Sequence, residues 1–153
     1  MRRVLFVCLG NICRSPMAEG LARQRWSAAH PGVRIDSAGT GDWHCGEPPD
    51  PRAVAVAARH GVDLSGLRAR QLRIADGDDF DLILCADRSN LHAVRQRIGP
   101  HASAHCELLL RYAGVAGADE VPDPYSGGAR DFEQVFALLR DAIDAAGARL
   151  ALR

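Results

Sequence analysis

The chain of 153 residues has no lysine. All 19 of its basic residues are arginine, and 19 acidic residues bring the formal net charge to zero. That balance excludes a global field able to recruit nucleic acid or an anionic membrane surface. No apolar run approaches the roughly 20 residues of a membrane span. The apolar stretch at residues 4–7 is too short for a secretory signal and has no small-residue cleavage site after it. A cytoplasmic protein is therefore expected, with neither nucleic acid nor membrane as partner. No C-x-x-C pair occurs and the six histidines show no ligand spacing, so no metal and no other cofactor is expected. Five cysteines, an odd count without framework spacing, read as free thiols in a reducing compartment. Of these, Cys45, Cys85 and Cys106 read as structural. Internal repeats and low-complexity segments are also missing.

What is present is ordinary in bulk: 47% hydrophobic and 25% charged residues. The length suggests one domain spanning 1–153, burying roughly 70% of its unfolded surface. Four apolar segments read as strands, at 3–7, 33–37, 81–85 and about 105–110. The first and third are nearly continuous apolar runs, as strands buried on both faces are. Helices are expected over 16–29, with Ser15 as N-cap, Pro16 at the first position and Glu19 in the opening turns. Further helices are expected over 52–60, ending at Gly61, and over 88–98, ending at Gly99. In the last helix Phe132, Val135, Phe136, Leu139, Ile143 and Leu150 form one apolar stripe, with Asp131 and Gln134 as a capping-box pair. Residues 39–51, 73–79 and 113–128 read as loops. Alternating strands and helices predict a parallel sheet covered on both faces.

The chemistry concentrates at Cys8-Leu9-Gly10-Asn11-Ile12-Cys13-Arg14-Ser15, between the first strand and the first helix. Successive N–H groups of such a loop converge into an anion-binding nest, with the helix dipole behind them. Gly10 permits backbone closed to other residues, and Asn11 tolerates left-handed geometry. Arg14 can grip two phosphate oxygens in a planar fork. The same field favours a thiolate at Cys8, and Ser15 is placed to donate a hydrogen bond to it. A bare C-x5-R pattern carries little weight, since five cysteines and 19 arginines give about 0.6 chance matches in this length. Its place between a buried strand and a Ser-Pro helix start carries the weight. Expelling an alkoxide or phenolate also needs a general acid. Asp123, stiffened between Pro122 and Pro124, is the candidate, although an Asp-Pro turn reads equally well.

Residues 4–16, Val-Leu-Phe-Val-Cys-Leu-Gly-Asn-Ile-Cys-Arg-Ser-Pro, resemble the signature of the low-molecular-weight protein tyrosine phosphatases, and the chain looks like a bacterial-type member. The resemblance implies a flavodoxin-like α/β sandwich with four parallel strands in the order 2-1-3-4. It places the acid in Asp123-Pro124-Tyr125 and implies hydrolysis of phosphotyrosine through a cysteinyl-phosphate intermediate, with Cys8, Arg14 and Asp123 as catalytic residues. It makes Leu9, Gly10, Asn11, Ile12, Cys13, Arg14 and Ser15 the phosphate cradle. Residues 36–43 resemble the family's second loop, which makes Trp43, with Tyr125 and Leu9, a wall of the substrate pocket. Asn11, Ser15 and Ser37 are expected to brace the loop. One departure is plain: Leu67 stands where many members carry a histidine that joins this brace. Asp87 reads as a helix N-cap or a partner of nearby backbone. Family members with a cysteine at the position of Cys13 close a reversible disulfide to the nucleophile, so a Cys8–Cys13 redox switch is expected; the plain alternative is a small space-filling residue. The expected partner is a phosphotyrosine-containing protein, such as a tyrosine kinase, and the expected state a monomer. Two other readings compete. An arsenate reductase of the same fold needs a second relay thiol, which residues 87–98 do not supply. A phosphocarrier would need no general acid.

Overall fold

The structure, a computed structural model, describes residues 2–151. Ten elements follow in order: β1 (Arg3–Cys8), α1 (Arg14–Arg25), β2 (Arg34–Gly39), α2 (Pro51–Arg59), α3 (Asp76–Asp79), β3 (Leu82–Cys85), α4 (Arg88–Ile98), β4 (His105–Leu108), α5 (Leu109–Ala113) and α6 (Ala129–Ala151). The strands form one parallel sheet in the order β2-β1-β3-β4. This is the expected flavodoxin-like arrangement.

The alternation along β1 explains its uninterrupted apolar sequence. Val4, Phe6 and Cys8 face a large core shared with Met17 and Leu21 of α1, Val56 of α2, Leu110 of α5, and Phe132, Phe136 and Ile143 of α6. Leu5 and Val7 face the other side, against Phe80, Ile83, Cys85 and Val94. A strand covered on both faces has no solvent side on which to place polar residues. The apolar stripe of α6 lies in the larger core, all six of its expected residues being buried. There α6 packs on α1: the Trp26 indole N–H donates to the Ile143 carbonyl at 2.9 Å. Gly147 makes room for that indole, since a Cβ there would lie 2.6 Å from Trp26 Nε1.

Several boundaries differ from expectation. The first helix spans Arg14–Arg25, with Cys13 rather than Ser15 at the N-cap position and no side-chain cap. The Ser15 hydroxyl is engaged by Cys8 and Asn11 instead, which leaves the helix N-terminus open to an external anion. Pro16 is therefore the third helical residue, and Glu19 lies beyond the first turn. In α6 the Gly128 N–H donates to Asp131 Oδ2 at 2.8 Å. Asp131 is thus the inner member of a box reaching back to Gly128, not an N-cap paired with Gln134. The fourth strand stops at Leu108, where the chain turns into α5. The 73–79 segment contains α3, organised by fully buried Asp76, whose carboxylate accepts from the Arg73 N–H and from both Nη of Arg70.

Candidate active site

In a sheet of this order the connections diverge on either side of β1 and β3, opening a crevice at their carboxyl ends. Cys8 ends β1 at that crevice, and Asp87 follows β3 across from it. Loop 8–15 is shaped by its carbonyls. The Cys8 carbonyl accepts from the Thr40 N–H (3.0 Å), Leu9 from Gly41 (2.9 Å) and Ile12 from Asp50 (2.8 Å). With these three carbonyls tied down, the backbone N–H groups of residues 10–14 show no backbone acceptor among the described residues, which leaves them available to an anion. Gly39 allows this close approach, because a Cβ there would lie 2.8 Å from the Leu9 carbonyl oxygen. The left-handed residue is Asn11, at φ +56°, and not Gly10. Gly10 is instead needed for space, since its Cβ would lie 3.1 Å from the His44 ring.

A polar brace holds Asn11 in that conformation. Its Nδ2 donates to Ser15 Oγ (2.7 Å) and Ser37 Oγ (2.9 Å), and its Oδ1 accepts from the Arg70 N–H (3.0 Å). Ser15 Oγ lies 3.0 Å from Cys8 Sγ. At the departure noted above, Leu67 packs against the hydrophobic core. The end of the brace is taken by buried Glu19, which accepts from Ser37 Oγ at 2.6 Å and pairs with Arg23.

Arg14 is buried (3% exposed) and aimed by three partners from distant segments. Its Nη1 donates to Asp87 Oδ2 (2.8 Å) and to the Val121 carbonyl (2.9 Å), and its Nη2 lies 3.7 Å from Asp123 Oδ2. Asp87 caps α4 through the Asn90 N–H, the N-cap role expected of it, and also orients Arg14, a role its sequence context does not indicate. The Val121 N–H donates to the Ala86 carbonyl, so the 121–125 segment is docked on the end of β3. Asp123 then stands on the opposite rim from Cys8, its Oδ1 accepting from the Tyr125 N–H.

The crevice is walled by Leu9, Ile12, Trp43, His44 and Tyr125, above Cys8, Cys13 and Arg14. Large apolar side chains exposed elsewhere are few: of Leu9, Trp43, Ile74 and Tyr125, only Ile74 lies away from this opening. Flat apolar walls above an anion cradle suit an aryl phosphate. Cys13 lies in the floor, and burial, reinforced by the negative field of Asp50, pushes its thiol well above the usual range. No disulfide forms among the described residues.

Three contributors to the site have no motif in the sequence. His44 closes the wall beside Tyr125, the ring centroids 6.4 Å apart. Glu19 was read as a helix-dipole residue. Arg52 is the third. It pairs with Asp50 through Nε (3.1 Å) and Nη2 (2.9 Å), and donates to the carbonyls of Tyr125 and Gly127, each at 2.9 Å. Its guanidinium also lies over the Phe132 and Tyr125 rings, at 4.5 and 5.6 Å. The Arg52 guanidinium holds the Asp50 carboxyl below the usual carboxylate range. Of the two contacts, only the Asp50 N-cap follows an ordinary sequence signal, Asp before Pro at a helix start.

Fold and site together define the class: a doubly wound α/β protein with a thiol set beneath an anion-binding loop. A sequence model of the family described as low molecular weight phosphotyrosine protein phosphatase matches residues 3–151. A low molecular weight protein-tyrosine-phosphatase of Streptomyces coelicolor is 47% identical over 146 residues, covering 92% of this chain and 88% of that protein. The low molecular weight protein-tyrosine-phosphatase YfkJ of Bacillus subtilis is 42% identical over 144 residues, covering 92% and 90%. The crystal structure of a protein tyrosine phosphatase from Entamoeba histolytica superposes with a TM-score of 0.90 at 31% identity, covering 98% and 97% of the two chains. The chain belongs to the low molecular weight phosphotyrosine protein phosphatase family. This membership decides against the arsenate-reductase and phosphocarrier readings.

Proposed function

We propose that residues 3–151 act as one catalytic domain in which Cys8, Arg14 and Asp123 hydrolyse phosphotyrosine in protein substrates. The observation that carries this reading is the convergence, from two segments more than a hundred residues apart, of a thiol and a buried guanidinium with a carboxyl around one aryl-sized opening. The phosphoryl group sits in the cradle of residues 9–15, its oxygens facing the loop N–H groups and the Arg14 fork. The tyrosine ring lies between Trp43 and Tyr125, with Leu9 below. Cys8 sulfur attacks phosphorus; the S–P bond forms as the P–O bond to the ring breaks, and the Asp123 proton passes to the phenolate oxygen. The Asp123 carboxylate then takes a proton from water as its oxygen attacks phosphorus. The S–P bond breaks, releasing phosphate and restoring the Cys8 thiolate and protonated Asp123. The cradle N–H groups and Arg14 stabilise charge on the equatorial oxygens in both steps.

The same reading extends to the setting. The enzyme works as a monomer in the cytoplasm, and a tyrosine kinase is among its substrates. Cys13 forms a reversible disulfide with Cys8 that protects the nucleophile from irreversible oxidation. No helix of the described residues is long and apolar enough to cross a membrane.

The test is hydrolysis of p-nitrophenyl phosphate with a chelator present. Cys8→Ser is expected to abolish turnover, and Asp123→Asn to lower the turnover of phenyl phosphate, whose leaving group needs the proton, by about 10²–10⁴-fold. Hydrolysis that survives Cys8→Ser overturns the mechanism. Asp123→Asn at the wild-type rate removes the acid from this residue.

A further inference from the structure

A continuous line of side-chain hydrogen bonds runs from Cys8 to the far side of α1. Its members are Cys8, Ser15, Asn11, Ser37 and Glu19, spaced at 3.0, 2.7, 2.9 and 2.6 Å. Every member is at most 5% exposed, so solvent does not complete any of these bonds. Each proton in the line can therefore be accounted for. Glu19 accepts from Arg23 through Oε2, and its Oε1 accepts from the Ser37 hydroxyl. Ser37 is thereby left as an acceptor for one Asn11 N–H. The Asn11 amide is fixed in this sense from its other end as well, because its Oδ1 accepts from the Arg70 N–H. Its second N–H goes to Ser15, whose own proton has one remaining neighbour, the Cys8 sulfur.

We infer that Glu19, paired with Arg23, sets the direction of this proton line and so helps make Ser15 a donor to the Cys8 sulfur. Glu19 is a positioning residue: it touches neither substrate nor the reacting atoms and acts through Ser37, Asn11 and Ser15. It closes the brace at its Ser37 end. The inference rests on Cys8 being the reactive sulfur, and the experiment separates the two.

Glu19→Gln is nearly isosteric but cannot satisfy both neighbours. If its carbonyl oxygen faces Arg23, its NH₂ faces Ser37, and Ser37 then meets two N–H donors with no acceptor for its own proton. Turning the Asn11 amide to accept that proton sets Asn11 Nδ2 against the Arg70 N–H. Either way the donor to Cys8 is loosened. The charged or titratable groups sharing the opening with Cys8 are Arg14, Cys13, His44, Asp123 and Tyr125, with Asp87 behind Arg14. Those around the far end of the line are Arg23, and Arg70 with Asp36 and Asp76. The substitution leaves all of these in place.

The readout is the pH dependence of Cys8 alkylation by iodoacetate, with the modified residue identified by peptide mass spectrometry. Glu19→Gln is expected to move the midpoint of that profile up by about one pH unit, a tenfold loss of thiolate below the midpoint. The acid limb of kcat/KM moves with it. In a Ser37→Ala background, where the line is already cut, Glu19→Gln is expected to produce no further shift. A purely structural Glu19, holding α1 to β2, lowers the melting temperature equally in both backgrounds and leaves the alkylation profile alone. Arg23→Gln, at a half-exposed position, is expected to shift the profile in the same direction and serves if Glu19→Gln does not fold. A Glu19→Gln profile superimposed on wild type, or a full shift that persists without Ser37, overturns the inference. Wild-type protein alkylated elsewhere than at Cys8 overturns the nucleophile assignment instead.

Discussion

Arg52→Ala tests how the acid is held over the nucleophile. Asp123 has no strong tether of its own beyond the Tyr125 N–H. Its segment is pinned at one end by Val121, and at the other by the two bonds from Arg52 to the carbonyls of Tyr125 and Gly127. Arg52 itself is anchored to Asp50, whose N–H holds the Ile12 carbonyl of the cradle. One guanidinium thus links the phosphate loop to the acid loop. Solvent screening weakens the bonds of a guanidinium this exposed, so its removal should lower the melting temperature by only a few degrees, about 5 °C. General-acid catalysis supplies about 10²–10⁴-fold, and a loosened acid should forfeit roughly tenfold of it. The assay is kcat/KM, which reports transfer to the enzyme, for phenyl phosphate and for p-nitrophenyl phosphate. Phenolate, like tyrosinate with its pKa of about 10, needs the proton; p-nitrophenolate needs it far less. Phenyl phosphate should lose about tenfold and p-nitrophenyl phosphate less than about threefold. Arg52→Lys should rescue little, because an ammonium cannot span Asp50 and two carbonyls as a fork does. An equal fall for both substrates refutes the reasoning and assigns Arg52 to the cradle or the fold.

Further outcomes follow from the same geometry. The depressed carboxyl of Asp50 contributes stability that is present above its unfolded value near 4 and lost as pH falls through the folded value; acid unfolding of Asp50→Asn should therefore show a shallower slope below about pH 4. Asp87→Asn keeps an N-cap but removes the charge that aims buried Arg14, so inhibition by inorganic phosphate should weaken by about tenfold, and the melting temperature should fall because the guanidinium loses its 2.8 Å ion partner. Gly147→Ala should cost about 1–3 kcal/mol by calorimetry, despite the better helix propensity of alanine, with kcat unchanged, since its methyl meets the buried Trp26 indole. Because burial keeps Cys13 protonated at neutral pH, recovery of activity by reductant after peroxide should improve as pH rises, and Cys13→Ser should recover less than wild type. Full recovery of Cys13→Ser would remove the disulfide.

Much of the fold is local and was legible. A strand buried on both faces leaves a continuous apolar run, as at residues 4–7, and a helix against a core leaves a stripe, as from Phe132 to Leu150. Boundaries were missed where a side chain is engaged by a distant partner. Ser15 has the form of an N-cap, but its hydroxyl is engaged by Cys8 and Asn11. Asp131 has the form of an N-cap, but a glycine three residues earlier takes that place. Gly10 reads as a conformational glycine, yet the space it yields is for His44, a contact that only the folded loops create.

The sequence by itself determined the layered α/β plan and the phosphate loop with Cys8 and Arg14, while Asp123 reads equally well as an Asp-Pro turn until the family resemblance favours the acid. Those depend on residue type, period and adjacency, which lie within one short segment at a time. The tertiary structure alone decided what aims them. Asp87 and Val121 reach Arg14 from 73 and 107 residues away, Arg52 ties the acid loop from 73 residues away, and Glu19 ends the brace through Ser37, 18 residues along. No local pattern encodes such pairs, because each partner alone satisfies an ordinary surface or capping role. Only the folded sheet, with β1 paired to β3 on one side and to β2 on the other, brings them within hydrogen-bond distance of one another.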